Sequence, residues 1–270
     1  MGSSVWSGHL TLGLISMPVK LFSGARSSGI SFNMLHRADN SRLKQQYVCI
    51  ADGQVIDRAD VIKGYEFRKD EYITIEPDEI KAIEPASGKT MEILEFVSVG
   101  EVDPIYFESS YYVVPDEAGK QPYALLSKAL ETSGYLGVAR LAMHNREYIV
   151  LLRPYEGGLM VHTMYYEDEV KKVEGFGKQD IDVNAAQLKV TLQLISALSA
   201  DWEPQKYTDT FQENLKKLIE RKLEGDDTTP PPTAVKKYAV VDIMAAIKQS
   251  LAEIEEKKER RKNESNKKAS

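Results

Sequence analysis

The stretch Tyr135-Leu136-Gly137-Val138-Ala139-Arg140-Leu141-Ala142-Met143-His144, then Asn145-Arg146, then Glu147-Tyr148-Ile149-Val150-Leu151-Leu152-Arg153-Pro154 decides the fold. Two apolar runs rich in Val, Leu, Ile and Tyr, parted by two polar residues, read as an antiparallel hairpin. With a two-residue loop at Asn145 and Arg146, Arg140 falls opposite Leu151 and Arg153 opposite Val138. Paired residues share a face, and so do 138 and 140, so both arginines project from one side with Arg146 at the tip. Two guanidinium groups on one strand face suit successive phosphates, because arginine donates in a fixed fork. The alternative is a pair of surface arginines neutralised by carboxylates.

The same alternation extends on both sides. Strands are predicted over 5–14, 19–23, 30–35, 46–50, 72–76, 92–97, 111–115, 137–144, 148–153 and 159–166. In the first, Trp6, Leu10, Leu12 and Leu14 form one face. A helix opened by Pro122 and closed by Gly134 interrupts the series. Roughly ten strands with one helix predict a mainly β fold with α (α+β), a closed or nearly closed barrel with a helical insertion.

From Asp182 the period changes from 2 to 3.6. Ala185, Leu188, Leu192, Ile195 and Leu198 line one helix, and the apolar run 190–200 reads as its buried face. A second begins at the capping box Thr210-Phe211-Gln212-Glu213 and ends at Gly225. GDDTTPPPT (225–233) reads as a linker. A last amphipathic helix starts near Tyr238, with Val240, Ile243, Met244, Ile247, Leu251 and Ile254 as its stripe. It suits a partner's groove or a return to its own body. The expected divisions are 1–181, 182–225, a linker over 226–237, and 238–270.

Charge is uneven along the 270 residues. The formal total is −6. Residues 1–235 hold 25 basic and 35 acidic residues, and the remaining 35 hold 10 basic and 6 acidic. The net −10 body and net +4 tail separate an acidic bulk from a basic end. Seven basic and two acidic residues over 257–268 suit a phosphate-contacting arm or a solubilising tail. One cysteine excludes a disulfide framework. The first 19 residues carry no charged side chain but lack a basic n-region, and no apolar run reaches membrane length. Neither export nor insertion is expected.

Catalytic patterns are absent. His9, His36, His144 and His162 are far apart, and Gly175-Phe176-Gly177-Lys178 lacks the rest of a phosphate loop. Cys49 reads as a small buried hydrophobe. The expectation is a protein that is not an enzyme, with no cofactor and no metal.

Further blocks are Val5-Trp6-Ser7-Gly8 followed by Gly13-Leu14-Ile15-Ser16-Met17-Pro18-Val19-Lys20-Leu21, Leu35-His36, and Val61-Ile62-Lys63-Gly64-Tyr65-Glu66-Phe67. Met91-Glu92-Ile93-Leu94-Glu95-Phe96-Val97 leads to Asp103-Pro104-Ile105-Tyr106-Phe107. Tyr111-Tyr112, Pro115-Asp116, Tyr123-Ala124-Leu125-Leu126, Gly137-Val138-Ala139-Arg140, Leu152-Arg153-Pro154, Gly157-Gly158-Leu159 and His162-Thr163 follow in order. Val240-Val241-Asp242-Ile243-Met244 with Ala246, Ile247, Ser250 and Leu251 closes the set. Together, from 5 to about 254, these blocks resemble the bacterial Ku family, the DNA-end-binding proteins of non-homologous end joining.

The resemblance implies a homodimer whose β-barrel bodies and bridging strands encircle duplex DNA as a ring threaded over a free end. It implies helices that complete the body and help dimerisation. It also implies a C-terminal segment, here Val240, Val241, Ile243, Met244, Ile247 and Leu251, that recruits the ATP-dependent DNA ligase D. A DNA-repair role and a cytoplasmic, nucleoid-associated location go with it. Some relatives carry cysteines near the position of Cys49 that suggest zinc; this sequence has one, so zinc is not expected. The resemblance points to Lys20, Arg42, Lys44, Arg140, Arg146 and Arg153 as phosphate contacts. A ring that slides on any sequence would leave base edges unread. The other class of reading is a β-barrel protein-interaction scaffold without nucleic-acid binding, which the acidic body favours.

Overall fold

The computed structural model describes residues 3–26, 29–83, 89–143, 146–177 and 182–225, with the single positions Ile247, Ser250, Ala252 and Glu256. It divides into two compact units, Met1–Lys172 and Val173–Ser270. Seven strands of the first close a barrel: β1 (Trp6–Leu12), β2 (Ile15–Ser23), β7 (Thr90–Ser98), β8 (Phe107–Pro115), β9 (Tyr135–Met143), β10 (Arg146–Tyr155) and β11 (Gly158–Met164). Their order around the wall is β1-β2-β8-β11-β10-β9-β7, and β7 returns to β1 as a parallel neighbour. Every other pairing is antiparallel. Closure leaves the barrel without a free edge.

Alternation fills the interior. Leu10, Met17, Val19, Leu21, Met91, Leu141, Val150, Leu152 and Val161, at most 1% exposed, belong to one apolar cluster. Helix α2 (Lys120–Ser133) adds Tyr123, Leu126 and Leu130 to it. Gly134 ends that helix at φ 71°, the left-handed conformation that a side chain disfavours.

The predicted strand over 5–14 is cut at Gly13 and Leu14, which connect β1 to β2. Leu12 pairs with Ile15, and Leu14 is wholly exposed. Gly13, at φ 56°, supplies the conformation that such a short connection demands.

Between β2 and β7 the chain leaves the barrel wall. This arm holds two short hairpins, β3 (Tyr47–Val48) with β4 (Val55–Ile56) and β5 (Lys63–Arg68) with β6 (Glu71–Ile75), then α1 (Pro77–Ala82). None of the described residues from 24 to 89 is buried. The predicted strand over 30–35 is replaced by extended chain with one isolated bridge, Leu35 to Arg42. Among the described residues no strand ladder forms along it. Cys49 is partly exposed at the end of β3, not buried, because the two-stranded sheet has no covered face.

The second unit contains α3 (Ala185–Leu198) and α4 (Thr210–Leu223). Asn184 caps α3, its side chain accepting from the Ala186 and Gln187 amides. Asp209, rather than Thr210, caps α4, accepting from Phe211 and Gln212. A carboxylate one residue earlier starts the helix one position sooner and takes the free N–H groups there. No residue of α3 is buried, and Leu188, Leu192, Ile195 and Leu198 are about half exposed or more. The expected buried face over 190–200 is therefore a half-exposed stripe; periodicity marks a stripe but not what lies on it.

Candidate nucleic-acid interface

The β9–β10 hairpin carries the candidate arginines. Met143 pairs with Arg146, Arg140 with Ile149, and Val138 with Leu151. The connection thus spans positions 144 and 145, which lie outside the described residues. The expected pairing of Arg140 with Leu151 is displaced by two residues, and Arg146 is the first residue of the strand rather than the tip. Alternation constrains only the parity of a register, so a slip of two leaves every side chain on its own face. Val150 and Leu152 enter the core. Residues 149, 151 and 153 point the other way, as does Arg140 opposite Ile149. Arg140 and Arg153 do share the outer face.

Lys20 also points outward, from a strand farther around the wall. On β2, Met17, Val19 and Leu21 enter the core, so Lys20 alternates outward. One row of paired outer residues runs Phe22, Tyr112, Met160, Arg153 across β2, β8, β11 and β10. Neighbouring strands lie about 4.8 Å apart, so the cations on β2, β10 and β9 are spread across five strands of the wall. Arg146 has the parity of Tyr148, over whose ring its guanidinium sits at 5.0 Å. Arg42 and Lys44 belong to the exposed arm. Lys44 lines a cleft of about 690 Å³ with Tyr47, Ile56, Asp57 and Arg58. The structure therefore brings Arg140 and Arg153 together on adjacent strands, sets Lys20 three strands from Arg153 around the closed barrel, and leaves the other three elsewhere.

Charge pairing divides them further. Lys20 meets Asp116 at 2.7 Å, Arg146 meets Glu169 at 2.5 Å, and Arg140 meets Glu147 at 3.6 Å with Glu92 as its cross-strand neighbour. The Glu169 bond raises the pKa of Arg146, and the Tyr166 amide together with Arg146 lowers that of Glu169. Such exposed pairs are weak. Arg153 makes no ion pair among the described residues. Its Nε–H donates to His162 Nε2 at 2.8 Å, and its guanidinium lies 4.9 Å from the Tyr155 ring centre. The other ring nitrogen, His162 Nδ1, is 2.8 Å from Ser110 Oγ, and Phe107 meets the ring edge to face. Burial, then the neighbouring Arg153 charge, lowers the His162 pKa to about 4.

In the sequence His162 stands as an isolated histidine and is not among the six candidates. The signal that places it lies in the turn Glu156-Gly157, whose φ angles of 47° and 79° suit a two-residue hairpin connection. That turn sets Arg153 opposite Met160 and puts His162 next along the same face. Of the candidate ligase-contact residues, Val240, Val241, Ile243, Met244 and Leu251 lie outside the described residues, and Ile247 is partly exposed.

A closed barrel with outward-pointing cations, and with an exposed arm inserted between its second strand and the strand that closes it, defines a β-barrel protein with a long inserted arm. The Ku70/Ku80 beta-barrel domain model matches residues 11–190. The chain is 57% identical over 258 residues to a non-homologous end joining protein Ku of Koribacter versatilis, covering 96% of this chain and 89% of that one. Identity is 42% to the protein of that name in Solibacter usitatus, covering 96% and 97%, and 32% to that of Bacillus subtilis, covering 92% and 81%. This chain belongs to the Ku family.

Proposed function

We propose that this chain binds the ends of double-stranded DNA without sequence preference, as a homodimeric ring in non-homologous end joining, and recruits and stimulates the ATP-dependent DNA ligase D. The relatives' shared name carries the pathway. The arm supports the dimer: it exposes Phe32, Tyr47, Ile50, Tyr65, Tyr72 and Ile73, each at least 55%, and none of its described residues is buried. Apolar surface of that extent marks an association site. The outer-wall cations support contact with phosphate in preference to bases. No catalytic step is assigned; the chain acts by holding an end and presenting 238–270 to the ligase.

The deciding experiment compares linear and covalently closed duplexes of one sequence in a gel shift. Binding of the linear form, with little of the closed circle, is expected, since a circle offers no end to thread. Equal affinity for both removes the ring. The carboxylates beside Lys20, Arg140 and Arg146 favour a second reading, a protein-interaction scaffold, which predicts no binding of either DNA at low salt.

A further inference from the structure

The Arg153–His162–Ser110 chain has a direction. An arginine Nε–H only donates, so its 2.8 Å contact requires an unprotonated His162 Nε2. The ring proton then sits on Nδ1 and is donated to Ser110 Oγ. Of the five N–H donors of Arg153, Nε is committed to the histidine. One on each terminal nitrogen donates at 3.4 Å, long for the Pro154 carbonyl and ordinary for Met160 Sδ. Among the described residues two donors remain without an acceptor, and the Tyr155 ring lies against the group at 4.9 Å.

We propose that His162, backed by Ser110, is a positioning residue that holds Arg153 as a preformed phosphate contact on the outer wall of the barrel; this rests on the duplex-DNA reading above. A carboxylate at the same place would orient the guanidinium equally well and cancel its charge. A neutral imidazole orients it and leaves the charge for an anion. The other barrel cations follow the opposite design, each of Lys20, Arg140 and Arg146 with a carboxylate beside it. Ordering Arg153 before the ligand arrives means that its rotamer entropy is lost on folding, not on binding.

The test titrates full-length wild type, R153Q, H162F, H162Q, S110A and the R153Q/H162F double variant with a fluorescent linear duplex at several salt concentrations. R153Q should bind about tenfold more weakly and flatten log K against log salt by about 0.9 for each phosphate that is no longer neutralised. H162F keeps a ring without an acceptor and should reproduce both effects although Arg153 is intact. The double variant should be no weaker than R153Q alone. H162Q, whose Oε1 takes the Nε2 position, should restore most of the affinity and slope, and S110A should fall between wild type and H162F. The ¹⁵N shifts of His162 should show Nδ1 protonated and Nε2 bare. Unchanged affinity and slope in R153Q, or fully additive losses in the double variant, overturn the proposal. Should H162F fail to fold, the same additivity is read from S110A with R153Q. A wild type that binds no linear duplex overturns the DNA reading and this proposal together; wild-type binding with an unaffected R153Q overturns the proposal alone.

Discussion

The Tyr123 hydroxyl accepts a hydrogen bond from the Leu159 amide and donates one to the Val113 carbonyl, each at 2.7 Å. One side chain of α2 thereby joins β8 to β11 at a buried point, and burial raises its pKa. Y123F keeps the ring and leaves the Leu159 amide without that acceptor. The cost should be about 1–3 kcal/mol, measured as a lower urea midpoint with an unchanged slope. A variant as stable as wild type would mean that the ring alone fastens the helix.

His162 makes the stability of the barrel depend on pH. In the unfolded chain it takes up a proton near its ordinary pKa of 6.5; in the folded protein it resists until about pH 4. Between those values unfolding consumes a proton, so stability falls as the pH drops. Its contribution is complete above about 6.5 and disappears toward 4. Wild type should therefore lose more melting temperature from about pH 7 to about pH 5 than H162Q, in which that site does not titrate. Equal losses would show that a protonated His162 is tolerated beside Arg153.

What the sequence disclosed follows from which interactions are local. Alternation in β9, β10 and β11 is imposed by the apolar interior, so strands and faces are legible, including the shared face of Arg140 and Arg153. The β9–β10 pairing is not, because a shift by two residues preserves burial and only the connection distinguishes the registers. The hairpin strand Lys63–Arg68 escapes notice for a related reason: with all its residues exposed, no face imposes a pattern. In 30–35, alternation is present, yet among the described residues it supports a single bridge, Leu35 to Arg42, and no strand. The role of His162 depends on Arg153 and Ser110 in two other strands, and no short window of sequence contains all three.

The arm offers a direct test of association. Tyr65 and Ile73 pair across β5 and β6 and are 64% and 55% exposed. Y65S/I73S removes their apolar surface without placing like charges opposite one another. If a second chain covers them, at roughly 1.5–3 kcal/mol for each buried side chain, the dimer should dissociate at least about tenfold more readily. Sedimentation equilibrium measures this, and melting at high protein concentration shows whether the barrel is intact. An unchanged association constant would locate the dimer contact outside this hairpin.

Arg140 and Arg153 differ in charge surroundings, which ranks them. Glu147 and Glu92 already offset Arg140. R140Q should therefore weaken binding of linear duplex less than R153Q, on the order of twofold to threefold against tenfold. R140E/R153E should abolish most binding while the sedimentation of the dimer stays the same. If the double reversal binds normally, neither residue faces the DNA and the cationic lining lies in another part of the chain.

Removal of the residues after Thr233 separates end binding from recruitment. The described residues of the barrel's apolar cluster all lie between Trp6 and Val161, upstream of the deletion. The truncated protein should retain its melting temperature and its preference for linear over closed duplex. The deleted stretch also carries the net +4 end of the chain, so affinity should fall somewhat and the salt dependence should become shallower. Stimulation of the ATP-dependent ligase should disappear. A second variant, V240S/I243S/I247S in the full chain, keeps every basic residue and removes three apolar ones. Loss of stimulation at undiminished DNA affinity in that variant assigns recruitment to the apolar stripe. Retained stimulation in both variants would transfer the ligase contact to the barrel or its arm.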